Sequence, residues 1–264
     1  VGMATSLAPH NLREVATALR AILENPAVEL SELIKMVPGP DFPTGGIVMG
    51  RSGIAQAYST GRGRLKLRAR HHIEEKGSKD WIIFTEIPYQ VRKTAIIEKI
   101  VDVVRDGRIT GISDVRDESD RQGMRLVIEL KKNEDPQVIL NQLFQYTPLQ
   151  TTVSIINLAI DAGQPRTFTL KGLLESYLVH RREVIRRRTA YLLRKAEDRK
   201  HIVDGLRTAV GNIDEIVAIV RASNDRDEAK AKLVERFSLS SRQAQAIVDM
   251  RLGSLTGLEI EKLD

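Results

Sequence analysis

Cysteine is absent from the 264 residues, so disulfide bonds and thiolate metal sites are excluded. Aromatic residues make up only 4% of the chain, which argues against a surface that holds single-stranded nucleic acid by stacking its bases. No apolar run approaches the roughly 20 residues of a membrane span, and no signal peptide is visible. We therefore expect a reducing compartment and no membrane partner.

Complete catalytic and cofactor motifs are also missing. The five histidines have no metal-ligand spacing such as HExxH, and the glycines at 61 and 63 match neither a phosphate-binding loop nor a dinucleotide fingerprint. The acidic residues Asp117, Glu118 and Asp120 are a candidate for Mg²⁺, but acidic turns are common and we favour a solvated loop. The sequence alone therefore predicts no catalytic residue, no cofactor and no metal in this chain.

Positive charge is what the chain does have. The formal net charge is +6 and the isoelectric point is about 9.5. A moderate excess of this kind permits a nucleic-acid partner without requiring one. The question is therefore where the cations concentrate.

A cationic strand is predicted in the run TGRGRLKLRAR, residues 60–70. Leu65, Leu67 and Ala69 alternate with cations, so a strand turns the two sets to opposite faces; the cations are Arg64, Lys66, Arg68 and Arg70. Alternate strand positions lie about 6.6–7 Å apart, similar to the phosphate spacing along one DNA strand. A solvated sheet face is the alternative, but residues 60–73 contain no acidic residue. We therefore predict that these four residues and Arg62 bind DNA.

The rest of residues 13–168 alternates between helical and strand periods. The patterns predict helices from Leu12 to Asn25 (capped by Asn11, with Glu14 completing a capping box), at 31–36 (capped by Ser31), at 93–105 and at 136–146. They predict strands at 47–50 and 53–60, a hairpin over 60–87, and strands in ITGISDV and MRLVIELKK. Residues 147–168 are interpreted as a mixed apolar and turn segment. The predicted fold class is α+β, a mixed or antiparallel sheet with packed helices.

A long helix is predicted from Thr169, a good N-cap, to about Ala222. Two apolar lines with a seven-residue repeat form a seam like that of a helix packed along a partner helix. The seam residues are Leu178, Ile185, Leu192, Leu206, Ile213 and Val220 on one line, and Thr189, Ala196, Val203, Val210 and Val217 on the other. The weak helix formers Gly205, Gly211 and Asn212 predict a bend or break.

We place a basic face opposite this seam. It comprises Arg181, Arg182, Arg186, Arg187, Arg188, Arg194 and Lys195. The face is either a solvated surface or a wall beside a polyanion. Residues 223–264 are interpreted as short helices whose apolar residues cluster at the end of the long helix, followed by a truncated helix from Leu258.

Seven blocks of sequence resemble the A subunits of bacterial type IIA topoisomerases. In chain order they are VGMATSLAPHNL, PGPDFPTGG, TGRGRLKLRAR, EIPYQV, RDESDRQGMRLVIELKK, RREVIRRRTAYLLRKAEDRKHI and QAQAIVDMRLGSLTGLE. The resemblance runs essentially from end to end and is closest to the DNA gyrase branch, with the topoisomerase IV branch as the alternative. A non-catalytic basic DNA-binding or architectural module is the hypothesis from a different class.

The resemblance implies four parts. Residues 1–12 would leave an upstream winged-helix domain, 13–168 would be the tower-like α+β domain, 169–222 the long coiled-coil helix, and 223–264 a truncated helical dimer-gate globule. The family's catalytic tyrosine follows an arginine upstream of VGMAT, and none of the five tyrosines here follows an arginine. The chain alone is therefore expected to be inactive.

The resemblance also implies partners and cofactors. The expected partners are double-stranded DNA, the gyrase B subunit, plus a second copy of the A subunit, in a cytoplasmic A2B2 enzyme that performs ATP-dependent strand passage and supercoiling. Mg²⁺ and ATP are expected on the B subunit, whereas no cofactor is expected on this chain. The dimer contact is expected at Phe237, Leu239, Ile247, Met250, Arg251, Leu252 and Leu255.

Overall fold

A computed structural model describes residues 2–77 and 79–250, and the chain divides into two compact units, Val1–Val179 and His180–Asp264. The predicted α+β class is confirmed, with antiparallel sheets and a long helix followed by short ones. The domain boundaries predicted at 168/169 and 222/223 stay predictions. The predicted helix from Leu258 lies outside the described residues.

The first unit contains two larger sheets, one short hairpin and five complete helices among its described residues. In chain order its elements are α1 (Leu12–Glu24), α2 (Leu30–Met36), β1 (Ile47–Val48), α3 (Ser52–Thr60), β2 (Arg62–Arg68), β3 (Arg70–Lys76), β4 (Lys79–Glu86), α4 (Lys93–Arg105), β5 (Ile112–Asp117), β6 (Leu126–Leu130), α5 (Pro136–Tyr146), β7 (Gln150–Ile156), β8 (Leu158–Asp161) and β9 (Gln164–Thr167). Strands β8 and β9 form the hairpin.

The cationic strand β2 lies in the centre of a three-stranded antiparallel sheet with the order β1-β2-β7. Its register pairs Arg62 with Ile156 and Arg68 with Gln150. Ser6 extends the sheet beyond β7, because it exchanges two backbone hydrogen bonds of 3.0 Å with Ile156. On the inner side of β2, Leu65 packs into a core formed mainly by α1, α2 and α3.

The second sheet has the order β3-β4-β6-β5 and packs one face against α4 and α5. Both helices confirm the sequence prediction. Helix α5 begins where expected because the Asp135 carboxylate accepts a 2.8 Å hydrogen bond from the Gln137 amide and Pro136 occupies the first turn. Alternate residues in the middle of β4 and along β6 are buried in this core; these residues are Ile82, Phe84, Leu126, Ile128 and Leu130.

The strand predicted at 53–60 is wrong, because these residues belong to helix α3. Ile54, Ala57 and Tyr58 are buried and recur at the i, i+3 and i+4 spacing of one helical face. Gly61, with φ of 77°, ends the helix in the left-handed conformation that glycine adopts readily. The flanking glycines, which the sequence suggests as turns between strands, instead pack and cap a short helix.

The hairpin predicted over 60–87 is correct only in its second half. Strands β3 and β4 do pair, but β2 belongs to the other sheet and Ala69 separates it from β3. The main partner of β2 is β7. Strand β7 lies in the segment 147–168, which is interpreted from the sequence as mixed apolar and turn structure. In the structure this segment contains three strands, β7, β8 and β9. Local alternation does not reveal so distant a partner.

Two predicted helix caps also differ from the structure. Asn11 caps α1 as predicted, accepting a 2.9 Å bond from the Arg13 amide. Glu14 completes no capping box, and its Oε2 atom is buried without a hydrogen-bond partner. Helix α2 begins at Leu30 after Glu29, so Ser31 lies inside the helix and is not its N-cap.

The second unit is helical throughout its described residues. Helix α6 (Leu170–Gly211) starts in the first unit and continues here, followed by α7 (Ile213–Arg221), α8 (Arg226–Phe237) and α9 (Ser241–Val248). Thr169 accepts a 3.0 Å bond from the Gly172 amide, which confirms the predicted N-cap. The predicted break occurs at Asn212, whereas Gly205 lies inside α6, close to the side chain of Gln243.

Candidate nucleic-acid interface

The cationic strand β2 has one buried face and one exposed face because helix α3 packs closely against it. A Cβ atom on Gly53 would overlap the Arg64 carbonyl group, and one on Gly63 would lie 2.5 Å from the Gly53 carbonyl oxygen. Glycine at both positions therefore lets the helix and strand backbones touch. Because α3 occupies the side of β2 that carries Gly63 and Leu65, the other side is left open to solvent.

Three cations occupy that open side, and we call Arg62, Arg64 and Lys66 the cation row. All three are exposed, while Gly63, Leu65 and Leu67 between and after them are buried. Within the described residues, none of the three forms an ion pair or a side-chain hydrogen bond. Their charges are therefore uncompensated and held at the regular spacing of a strand.

Arg68 lies on the same strand but is engaged in the fold. Its Nε atom donates to the Gln150 side chain, and its guanidinium carbon lies 4.8 Å from the centre of the Phe144 ring. The residue is half-buried. A cation that stacks on an aromatic ring and bonds a neighbouring strand contributes packing as well as charge. Its predicted DNA-binding role stays a prediction, although the structure favours a structural role.

Arg70 lies apart from the cation row. It begins β3 in the other sheet, and its Nε atom is 3.0 Å from Glu86 Oε1. The uninterrupted line of four cations expected from the alternation is therefore wrong, because the sheet changes at Ala69. The predicted DNA contact of Arg70 itself is untested.

The cation row borders a shallow groove that the sequence patterns do not predict. The groove has a volume of about 490 Å³ and is lined by Gln56, Arg62, Gly63, Arg64, Ser154, Ile155 and Ile156. Ser154 lies opposite Arg64, and Thr152 lies opposite Lys66, in the antiparallel register. Both side chains are exposed hydroxyls that can donate to phosphate oxygens. The alternation in QTTVSII was the available signal for this strand.

A polar contact lies in the core on the inner side of this sheet. His10 Nε2 lies 2.8 Å from the Tyr58 hydroxyl, and His10 Nδ1 lies 2.8 Å from the Ala8 carbonyl oxygen. Burial lowers the pKa of His10, opposed in part by the Ala8 carbonyl and the charge of Asp41. Burial also raises the pKa of Tyr58, and the charges of Glu14 and Asp41 add to that shift. At neutral pH both side chains are therefore uncharged.

The acidic loop is occupied by the protein's own cations. Asp117 forms a 2.6 Å ion pair with Lys93, whose hydrogen bond is the main cause of the lowered pKa of Asp117. Glu118 pairs with Arg125 at 3.2 Å and with Arg116 at 3.4 Å. Among residues 2–77 and 79–250, no group of histidines and carboxylates is arranged to hold a metal ion.

A second concentration of cations surrounds helix α6. We call Arg181, Arg182, Arg186, Arg187, Arg188, Arg194 and Lys195 the cation collar. All are exposed, and only Arg186 and Arg187 have an ion-pair partner in the described part of the chain, the shared Glu183 at 3.6 and 3.5 Å.

The predicted position of these cations, opposite the seam, does not hold for the whole set. Arg182 lies four residues after Leu178 and therefore on the second seam line itself. Each residue turns a helix by about 100°, so Arg182, Arg188 and Arg194 point in three directions about 120° apart. The seam residues Ile185 and Leu192 are 55% and 50% exposed, so apolar and basic side chains share this surface.

The predicted dimer residues fall into three groups. Leu239 and Ile247 are buried in the core of the second unit, against Leu233 and Ala209. Phe237 is partly buried against the same core, and Met250 is half-buried. Arg251, Leu252 and Leu255 lie outside the described residues. Leu239 and Ile247 are therefore covered within this unit, while the dimer contact itself stays a prediction.

Similar proteins of known identity are the A subunits of bacterial DNA gyrases. Residues 1–264 match the family of DNA gyrase/topoisomerase IV A subunits. The chain is 53% identical over 264 residues to the DNA gyrase A subunit of Halalkalibacterium halodurans and 55% identical over 265 residues to that of Fibrobacter succinogenes. It is 49% identical over 263 residues to that of Helicobacter pylori strain J99.

Each of these matches covers 100% of the chain but only 32%, 29% and 32% of the relative, respectively. The chain thus spans about a third of the length of the curated relatives it matches. In the described part of the chain, no helix combines the length and apolar character needed to cross a membrane.

Proposed function

Because the chain belongs to the family of DNA gyrase/topoisomerase IV A subunits, we propose that it is a DNA-binding scaffold region of a type IIA topoisomerase A subunit. The gyrase branch is favoured over topoisomerase IV, since the relatives described above are all named as DNA gyrase A subunits. In this proposal the region supports ATP-dependent double-strand passage and DNA supercoiling by the whole enzyme. Its own task is to hold duplex DNA.

The cation row is the observation that carries this proposal. Three exposed cations without internal partners in the described residues stand on a strand whose opposite face is buried, so their spacing is fixed before DNA arrives. Contacts with phosphate position a protein on the duplex but carry no base information. The region therefore binds duplex DNA of any sequence, with hydroxyl donors from Ser154 and Thr152 beside the arginines.

The chemistry of strand cleavage is assigned elsewhere in the enzyme. Tyr58 is only 2% exposed and hydrogen-bonded to His10, so its hydroxyl is not presented to DNA. The carboxylates of Asp117 and Glu118 already hold protein cations and do not fit a Mg²⁺ site. Mg²⁺ and ATP are assigned to a partner B subunit, within a cytoplasmic A2B2 enzyme, and the chain alone is expected to form no covalent adduct with DNA.

The test of DNA binding is the salt dependence of duplex affinity. Each phosphate neutralised by the protein contributes about −0.9 to the slope of log K against log salt. Replacing Arg62, Arg64 and Lys66 together by glutamate should weaken binding strongly and flatten this slope by about 3, equally on AT-rich and GC-rich duplexes. Fluorescence anisotropy over a range of salt concentrations measures both quantities.

The matched control replaces Lys99, Lys131 and Lys132 together by glutamate. All three are exposed cations of the first unit, and their replacement changes the net charge by the same amount. It should leave the slope within about 0.5 of the unmodified chain, because distant exposed charges are screened by salt. Equal effects of the two triple variants would mean that the chain attracts DNA through net charge alone, and the assignment of the cation row would then be wrong.

A further inference from the structure

His10 connects the residues before α1 to the helix that supports the cation row. The Ala8 carbonyl oxygen only accepts hydrogen bonds, so His10 Nδ1 carries the proton that lies between these two atoms, which are 2.8 Å apart. In the neutral ring Nε2 is then the acceptor, and the Tyr58 hydroxyl donates to it across 2.8 Å. The geometry therefore requires one tautomer of neutral His10 and one direction for the Tyr58 hydrogen bond.

Two structural routes lead from this contact to the cation row. Tyr58 belongs to α3, whose Gly53 and Ala57 touch the backbone of β2 at Gly63, between Arg62 and Arg64. Residues 2–11, which we call the leading segment, pair with β7 through Ser6, and β7 pairs with β2. One hydrogen bond thus joins the edge of the cationic sheet to the helix that packs on its inner face.

We propose that neutral His10 is a positioning residue for the cation row, holding the leading segment and α3 together, and that protonation of His10 destabilises this contact and weakens duplex binding. The inference rests on the DNA-binding function proposed above and adds a form of regulation to it. No contact between His10 and DNA is involved.

Protonation reverses this hydrogen bond and destabilises the arrangement. A charged His10 carries hydrogen on both ring nitrogens, so Nε2 can only donate, and the Tyr58 hydroxyl must turn to accept from it. The hydroxyl proton then loses its acceptor on the ring, in a core where Tyr58 is 2% exposed, and the charge of His10 is partly buried. The charged groups that act on this contact are the carboxylates of Glu14 on α1 and Asp41 after α2.

The direction of the pH effect follows from the lowered pKa. His10 titrates in the folded protein with a pKa below its ordinary value of 6.5, so the unfolded or released chain binds more protons in that window. The stabilising contact is fully present above about pH 6.5 and is lost as pH falls through the lowered pKa. Opening of the leading segment should then increase by at most about tenfold per pH unit, as expected for one proton.

Hydrogen exchange and duplex binding test the proposal on the complete chain, between about pH 7.5 and pH 5. Amide exchange in the leading segment, corrected for intrinsic rates, should accelerate as pH falls. His10→Ala should show this fast exchange at every pH, whereas His10→Gln should rescue slow exchange, because its amide donates to Ala8 and accepts from Tyr58 without titrating. His72→Gln, at an exposed histidine, is the matched control and should keep the pH dependence of the unmodified chain.

Duplex affinity supplies the functional measurement. The affinity of the unmodified chain relative to His10→Gln should fall by about fivefold over the acidic half of the range, the lower end of typical coupling between sites. Identical pH profiles for the unmodified chain and His10→Gln would overturn the proposal. Absence of duplex binding at every pH would instead overturn the proposed function, so the two failures are distinguishable.

The tautomer provides a test that needs no variant. Nitrogen NMR at neutral pH should show His10 with hydrogen on Nδ1 and none on Nε2. Hydrogen on Nε2 at neutral pH would overturn the proposal directly, because the Tyr58 hydroxyl would then have no acceptor on the ring.

Discussion

The cation row and the cation collar carry the same kind of charge in different physical settings. The row has three cations on a strand with a buried inner face, and none of them has an internal partner in the described residues. The collar has seven cations on an exposed stretch of α6, and one glutamate pairs with two of them. Counting charges would rank the collar first, because it has more than twice as many.

Pre-organisation reverses that ranking. The strand turns all three cations of the row in one direction, so one duplex can meet them together. The helix spreads the collar around its whole circumference, so a duplex on one side meets about a third of it. Ordering a long side chain on binding also costs free energy. We therefore expect a cation of the row to contribute more to binding than a cation of the collar.

The largest effect is expected when the packing of α3 against the inner face of β2 is disturbed. Gly53→Ala places a methyl group against the Arg64 carbonyl, and the backbones must separate. The free energy of unfolding should fall by about 1–2 kcal/mol, since overpacking outweighs the gain in helix propensity. Duplex affinity should fall as well, as the spacing of the row is disturbed. Chemical denaturation and anisotropy measure the two effects.

Gly211→Ala is the control for that substitution, because a Cβ atom there meets no atom within 4 Å. It should raise the free energy of unfolding by at most about 1 kcal/mol, through helix propensity alone, and leave duplex affinity unchanged. Stability of Gly53→Ala equal to that of the unmodified chain would contradict the close packing of α3 on β2.

An intermediate effect is expected from the collar. Replacing Arg182, Arg188 and Arg194 by glutamine removes three charges that point in three directions, so a bound duplex loses about one contact. The slope of log K against log salt should then change by about 1, against about 3 for the same substitutions in the row. A change of about 3 in both variants would show that the collar binds DNA as a unit and would remove the distinction between collar and row.

The smallest effect on DNA binding is expected at Arg68. Arg68→Lys keeps the charge but loses the guanidinium plane above Phe144 and the Nε bond to Gln150. Thermal unfolding should report a loss of about 1 kcal/mol, while duplex affinity should change less than about twofold. A large loss of affinity with unchanged stability would instead return Arg68 to the DNA contact.

Periodic segments with their own end signals were predictable from the sequence. Helix α5 follows from Asp135, Pro136 and its apolar stripe, and the burial of Leu65, Leu67 and Ala69 follows from strict alternation. These features depend on nearest neighbours along the chain, so local patterns contain the necessary information.

Features that depend on contacts between residues far apart in the sequence were not predictable. The alternation of apolar residues and cations continues through Ala69, although the chain passes from one sheet to the other there. Leu65, Leu67 and Ala69 are all buried, so the sequence pattern gives no sign of the change. Nothing local to Arg70 indicates that Glu86 neutralises it, nor does the sequence around His10 indicate Tyr58. Of the five predicted cations, three therefore have no ion-pair or hydrogen-bond partner for their side chains in the described residues, while the DNA contacts of all five stay predictions.

The separation in sequence between β2 and its main partner β7 also has a consequence for synthesis of the chain. Arg62 pairs with Ile156, 94 positions later, whereas β3 ends at Lys76 and its partner β4 begins at Lys79. During synthesis β2 is therefore complete long before β7 exists, and in that interval the edge that β7 later covers is unpaired beside an apolar face. Like charges on such a strand oppose its pairing with another chain. We therefore expect the three cations that we assign to DNA to oppose aggregation of the nascent chain as well.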